Sequence, residues 1–413
     1  MNSITNTRFQ RIVFSIVLMA VFYNTLLAII NASVFSLSSS MVVLSEILIL
    51  SVIMLLILWS QIEKSEIREV MFISFIVVLA ILISLVNQQL FIDSIRNFLI
   101  IVAFYLLGKR ATESTIHKIF FVASLVVALF LLIEMFALDL YVQVLQPALY
   151  YAKTRGMEVS QYNELGVFNA ALGFEGRFGF GLYDGPRTAS AFLEQVSLSN
   201  FAVVLAIYLA SLWDKVELKR KLFFIGLVLL ILITSRSRAA FGVVSFVVIG
   251  YHLIPLLPKV SSLLIFPMAV LVTISVSFYF STDYGYALED SLKGRLLHTG
   301  FILSSFDLRD LFSLNISGLG RYADSGLAYL INANTLLGAL VFWFFISLLF
   351  KPVNHSQLRT LFLVNFYFFA VLAVSGTSVF SIKTAALLWL LAGFVSTLSE
   401  NETNALSATG KPL

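Results

Sequence analysis

The sequence predicts an all-α polytopic membrane protein of about twelve transmembrane helices with two large outer loops. Three observations predict it. Of 413 residues, 59% are hydrophobic and 12% are charged, with a mean hydropathy of +0.95, whereas a soluble domain carries about a quarter charged residues. Long apolar runs recur from one end of the chain to the other. The bilayer offers no water to backbone polar groups, so repeated runs of that length must be helices. Finally, basic residues gather in short turns between alternate runs, as cytoplasmic loops require.

The first run, Ile12 to Ile30, is too long for a signal segment and lacks a clear cleavage site, so it reads as the first span. Further spans are expected near 41–59, 70–86, 90–107, 116–138, 188–213, 221–235, 239–257, 260–280, 326–350, 359–375 and 380–398. The fourth is apolar only over its C-terminal half, and the seventh is short. With the N-terminus inside, the cytoplasmic turns carry Lys64 and Arg68; Lys109, Arg110 and Lys118; Lys215, Lys219, Arg220 and Lys221; Lys259; and Lys351 and Arg359. The loops 139–187 and 281–325 then fall outside, and the C-terminal tail returns to the cytoplasm. The chain reads as a single integral membrane domain over 1–413.

Arginine and lysine divide unequally across that topology. Of 15 arginines, nine are expected on the outer side: Arg96, Arg155, Arg177, Arg187, Arg236, Arg238, Arg295, Arg309 and Arg321. Of 12 lysines, only Lys153, Lys293 and Lys383 are. Guanidinium binds phosphate or carboxylate through a planar fork, whereas an ammonium acts as a point charge. The bland reading is a set of solvated, ion-paired surface arginines. It weakens for those beside or inside spans, where an unpaired charge is costly.

Three stretches carry the chemistry. The first runs from Gly173 to Asn200, opening with glycines interleaved with Phe174, Phe178, Phe180 and Tyr183. Aromatic faces of this kind suit a sugar or a lipid, and the segment includes Arg177. Pro186 suits a first helical turn, so Arg187 is expected at a helix N-terminus, where free N–H groups favour an anion. Glu194 then falls two turns on, on the same face. An acid at that depth is functional or paired, the alternative being a structural Arg187–Glu194 link.

The second stretch, Thr234-Ser235-Arg236-Ser237-Arg238-Ala239-Ala240, is too short for a solvated loop. It holds two guanidiniums as a diphosphate clamp, or as lipid anchors on the bland reading. The third, Gly318-Leu319-Gly320-Arg321-Tyr322-Ala323-Asp324-Ser325-Gly326, leads into the tenth span, with Tyr329, Asn332 and Asn334 in its first turns. Asp324 there is either reactive or a helix cap. Glu46 and Glu134, in apolar runs, are expected to pair with outer arginines.

Other chemistries find no support. The chain has no cysteine, which removes disulfides and thiol catalysis. The four histidines show no metal-ligand spacing. No Asp-x-Asp, Walker, Gly-x-Ser-x-Gly or Ser-x-x-Lys pattern occurs. No cofactor, metal or nucleic-acid partner is expected.

At these residues the sequence resembles the Wzy-type O-antigen and exopolysaccharide polymerases, relatives of the O-antigen ligases. Pro186-Arg187-Thr188 to Glu194, Ser235-Arg236-Ser237-Arg238-Ala239-Ala240, and Gly318-x-Gly320 through Asp324-Ser325-Gly326 to Gly338 carry the likeness, in that order around two outer loops. It covers residues 150–345. An Arg–Gly spacing described in each outer loop of such polymerases is met by Arg155 with Gly166 and by Arg309 with Gly320. Ligases usually place a His near the start of the span after the second loop; here that region reads Asp324-Ser325-Gly326-Leu327-Ala328-Tyr329, which favours a polymerase.

The resemblance implies a metal-independent glycosyltransferase of the bacterial inner membrane with its active site facing the periplasm, and makes both outer loops periplasmic. It would move a growing glycan from undecaprenyl diphosphate to the next lipid-linked repeat unit. On this reading Arg187, Arg236, Arg238 and Arg321 surround the diphosphate and stabilise the charge that develops on it. Arg155, Arg309, Arg177 and Tyr329 contact the substrate, and Glu194 or Asp324 is the base for the attacking hydroxyl. Membrane lipid and a chain-length regulator (copolymerase) are the other expected partners. Three alternatives stay open: a ligase to lipid A core, a lipid-linked oligosaccharide flippase, and a non-catalytic membrane partner.

Overall fold

The computed structural model describes residues 3–159, 163–172, 179–280, 291–322 and 324–398. Among them the chain is all helix and connecting turn, with no strand. In order the helices are α1 (Ser3–Ser33), α2 (Ser39–Trp59), α3 (Ile67–Asn87), α4 (Asp93–Lys109), α5 (Glu113–Phe136), α6 (Leu138–Leu145), α7 (Pro147–Arg155) and α8 (Gln195–Leu212). Then come α9 (Leu218–Ser235), α10 (Arg238–Leu253), α11 (Ile265–Tyr279), α12 (Leu292–Ser304), α13 (Leu308–Leu311), α14 (Gly326–Ser347), α15 (His355–Val374) and α16 (Ile382–Ser396).

Nine helices among the described residues are long and apolar enough to cross a membrane. Their outward faces expose large apolar side chains such as Leu55, Leu85, Phe136 and Phe278, which suit lipid rather than water. The protein is therefore a multi-pass all-α membrane protein. The three other expected spans exist as helices but fall short. α4 has 17 residues and α16 has 15, about 25 and 22 Å at 1.5 Å per residue against a hydrocarbon layer of about 30 Å. α9 opens on Lys219, Arg220 and Lys221, so its apolar stretch begins only at Leu222.

The chain forms two compact units. The first comprises Met1–Gln61, Arg110–Val244 and Ile382–Leu391, and the second Ile62–Lys109, Ser245–Ser381 and Ala392–Leu413. In the first, α1 packs on α2, α5 and α6, and α8 packs on α9. Ala28, Leu37, Tyr141, Leu145, Tyr150, Tyr151 and Leu193 form one of its cores. α8 is apolar on nearly every face and buried along its length, as a helix enclosed by others should be.

In the second unit, α11 lies against α12, α14 against α15, and α3 against both α4 and α14. The α11–α12 approach needs Gly300, where a Cβ would stand 2.1 Å from the Thr273 carbonyl oxygen. Phe72 stacks on Phe345 at 3.9 Å between ring centroids, and Phe342 tilts onto Phe98. α14 is two helical pieces rather than one. Thr335 breaks it with φ 60° and ψ 163°, a region almost reserved for glycine. The Ser313 hydroxyl accepts the Thr335 N–H at 2.8 Å, and the Thr335 hydroxyl accepts the Gly338 N–H at 3.2 Å, so the second piece carries its own cap.

Candidate functional site

Glu194 organises the polar centre of the first unit. It is the N-cap residue of α8, reached through Leu193 at φ 65°. Its Oε1 accepts from Lys383 Nζ at 2.6 Å and from the Ser197 hydroxyl at 2.6 Å, and its Oε2 accepts from Arg155 Nη1 at 2.9 Å. Both carboxylate oxygens are thus engaged, and two cations share one acid.

Each partner is fixed by its own helix. Arg155 ends α7, where a cation suits the dipole. Its guanidinium lies 4.3 Å from the centre of the Tyr151 ring one turn back. The Tyr151 hydroxyl donates to the Phe192 carbonyl at 3.3 Å and the Tyr150 hydroxyl to Asn24 at 2.7 Å, which ties α7 to the residues before α8 and to α1. Partial enclosure lowers the Arg155 pKa, but the Glu194 charge outweighs that and holds it above its ordinary value. Lys383 lies in the first turn of α16, buried, with the Phe192 carbonyl 3.5 Å away.

The residues leading to Glu194 are not helical in the expected way. α8 begins at Gln195, so Arg187 lies eight residues upstream of it and shares no helical face with Glu194. Glu194 pairs with Arg155 and Lys383, not with Arg187. Arg187 instead donates from Nε to the Ser235 carbonyl at 2.7 Å and from Nη1 to the Ala170 carbonyl at 3.4 Å. The Thr188 N–H and hydroxyl meet the Thr234 carbonyl and hydroxyl at 3.2 and 2.7 Å. The first and second expected stretches are therefore stitched side by side.

Glu134 does not pair with an arginine either. It accepts the N–H groups of Ala189 and Ser190, at 2.6 Å for the shortest bond, inside α5. Glu46 accepts from the Tyr23 hydroxyl.

The second stretch is a tight turn, as expected. Arg236 takes φ 50° at the end of α9, donates to the Tyr183 carbonyl and lies over the Tyr183 ring. Burial raises the Tyr183 phenol above its usual pKa. Ser237 caps α10 by accepting the Ala240 N–H at 3.3 Å, and Arg238 is the first residue of that helix, half-buried. No protein-family model, curated protein or solved structure matches this chain.

The remaining expected residues belong to the second unit. Asp324 does not cap α14; Ser325 is the cap residue. Its carboxylate, 53% exposed, stands 3.7 Å from Arg295, which also donates to the Val374 carbonyl at 2.9 Å. Tyr329 is half-buried against the Ile83, Phe91, Ile316 and Ala333 core. Arg309 is exposed on α13. Arg177 lies outside the described residues, as does the Arg321 side chain.

Among the described residues no three His, Asp or Glu side chains gather to hold a metal ion. The sequence reading missed Lys383 as a partner, although a lysine opening an apolar run was a visible signal. It also missed the break at Thr335, for which no local residue pattern calls.

Proposed function

We propose that the protein polymerises undecaprenyl-diphosphate-linked oligosaccharide repeat units by glycosyl transfer, without a metal, at the periplasmic face of a bacterial inner membrane. In this reading α4, α9 and α16 complete a set of twelve spans, with the basic turns in the cytoplasm. The observation that carries it is the pairing of two arginine-bearing segments. Arg187–Ser235 and Thr188–Thr234 contacts hold 183–188 against 234–238, bringing Arg187, Arg236 and Arg238 to one turn. Preorganised guanidiniums beside a diphosphate leaving group stabilise its developing charge without a metal. Of the two acids considered as base for the attacking hydroxyl, Glu194 already accepts from Lys383, Ser197 and Arg155, whereas the Asp324 carboxylate is exposed.

Purified protein incubated with a lipid-diphosphate repeat unit should yield a ladder of products. A single transfer to lipid A core indicates a ligase. A second reading, a lipid-linked oligosaccharide flippase, draws on the broken α14, because transporters build substrate sites from interrupted helices. Translocation of the labelled lipid across a vesicle with no new glycosidic bond would replace the polymerase reading with that one.

A further inference from the structure

The two cations on Glu194 are not equivalent. The Lys383 side chain is 2% exposed and the Arg155 side chain 44% exposed, around a carboxylate that is 13% exposed. An ammonium in the first turn of a helix is opposed by the helix dipole, whereas an acid at an N-cap is favoured by it. α16 therefore holds Lys383 where it needs a fixed anion, and Glu194 at the start of α8 supplies one. Lys383 holds one carboxylate oxygen and Arg155 the other, so Glu194 stays paired with a cation if Arg155 leaves. Arg155 spends only Nη1 on the carboxylate and rests its plane on Tyr151, so its other donors make no described hydrogen bond.

We infer that Arg155 is an exchangeable ligand for a phosphate or diphosphate group, released to it because Lys383 holds Glu194. The incoming anion takes the guanidinium fork in place of Glu194, and Lys383 keeps the vacated carboxylate paired. Lys383 is then a positioning residue: it touches no substrate and sets how tightly Glu194 competes for Arg155. The identification of the anion as a substrate diphosphate rests on the function proposed above.

The test is titration of inorganic pyrophosphate into the purified full chain in nanodiscs of neutral lipid. Lys383→Met leaves Arg155 as the cation that remains on Glu194 and should weaken binding about ten- to hundredfold, the worth of a hydrogen bond to a charged group. Arg155→Lys should weaken it similarly, because the fork is lost while the charge stays. The double variant Glu194→Gln, Lys383→Met removes the competitor together with its counter-ion and should return binding to within about threefold of wild type.

That rescue is what a purely structural ion-pair network does not give. The double variant and Arg155→Lys also keep the test open if Lys383→Met alone fails to fold. Absence of saturable binding, unchanged binding in Lys383→Met, or no recovery in the double variant overturns the inference. Discs of phosphatidylglycerol identify the source of the anion: a headgroup in the site abolishes pyrophosphate binding, a substrate-borne diphosphate leaves it intact, and both keep Arg155 as the ligand. The predicted variant pattern without a product ladder leaves this site standing and removes the polymerase reading.

Discussion

Ser190 and Leu193 in the first unit and Thr335 in the second all hold positive φ without being glycine, yet different groups fix them. Around Ser190 the backbone is held by charge and phenol: Glu134 accepts the Ser190 N–H at 2.6 Å and the Tyr141 hydroxyl donates to its carbonyl at 2.8 Å. Around Thr335 the holders are neutral, the hydroxyls of Ser313 and of Thr335 itself. Each such conformation costs about 1–3 kcal/mol and survives only where its surroundings over-determine it. A buried carboxylate is worth more as an anchor and costs more to lose than a hydroxyl. The first unit is thus the one in which single substitutions should be catastrophic.

Glu194→Ala should show this most strongly. It leaves the buried Lys383 without its anion, a loss of about 3–5 kcal/mol for breaking a buried pair. Unfolding of purified protein in mixed detergent micelles measures it. A loss under about 1 kcal/mol would mean that the pair behaves as a surface ion pair and that burial does not distinguish the two units. Glu134→Ala comes next. It orphans the N–H groups of Ala189 and Ser190 inside the first unit; these are neutral groups, at the lower part of the range of about 1–3 kcal/mol for an unsatisfied group, so together they should cost about 2–4 kcal/mol. Glu134→Gln retains one accepting oxygen and should recover part of that.

The same contrast explains what the sequence discloses. Membrane character and most of the spans are legible because apolar runs report the solvent directly, one residue at a time. The Ser235–Arg238 turn is legible because its length is fixed by the spans on either side. The partners of Glu194 are not, because Arg155, Glu194 and Lys383 come from three separated parts of the chain and only the packing of α7, α8 and α16 brings them together. α8 starts at Gln195, later than the apolar run predicts, for a related reason. Pro186 permits a helix locally, but Glu134, Thr234 and Tyr141 supply tertiary partners that hold residues 188–190 out of it. A local propensity yields to that many buried hydrogen bonds. The Thr335 break depends on Ser313, which a linear reading cannot bring near.

Thr335 gives the third and smaller effect, with a sign that depends on the replacement. Thr335→Val keeps the shape and the strained backbone but removes the cap on Gly338, so it should cost about 1 kcal/mol. Thr335→Gly also loses the cap but releases a strain of about 1–3 kcal/mol, so it should be neutral or mildly stabilising. Equal destabilisation by both would mean that the hydroxyl, rather than the dihedral, dominates the second unit's break.

Asp324 gives the smallest change in stability and separates fold from chemistry. Its carboxylate is 53% exposed and 3.7 Å from Arg295, and an ion pair of that kind is worth about 0–1 kcal/mol. Asp324→Asn should therefore leave the unfolding midpoint nearly unchanged, in contrast to Glu194→Ala. If Asp324 accepts the proton of the attacking hydroxyl, the same variant should lower ladder formation by about 10²–10⁴-fold, the usual contribution of a positioned base. Arg295→Met, measured beside it, removes the pair but keeps the carboxylate, and should retain most of the activity. Loss of stability in Asp324→Asn comparable to Glu194→Ala would make Asp324 a structural acid like its counterpart, and the proton would need another acceptor.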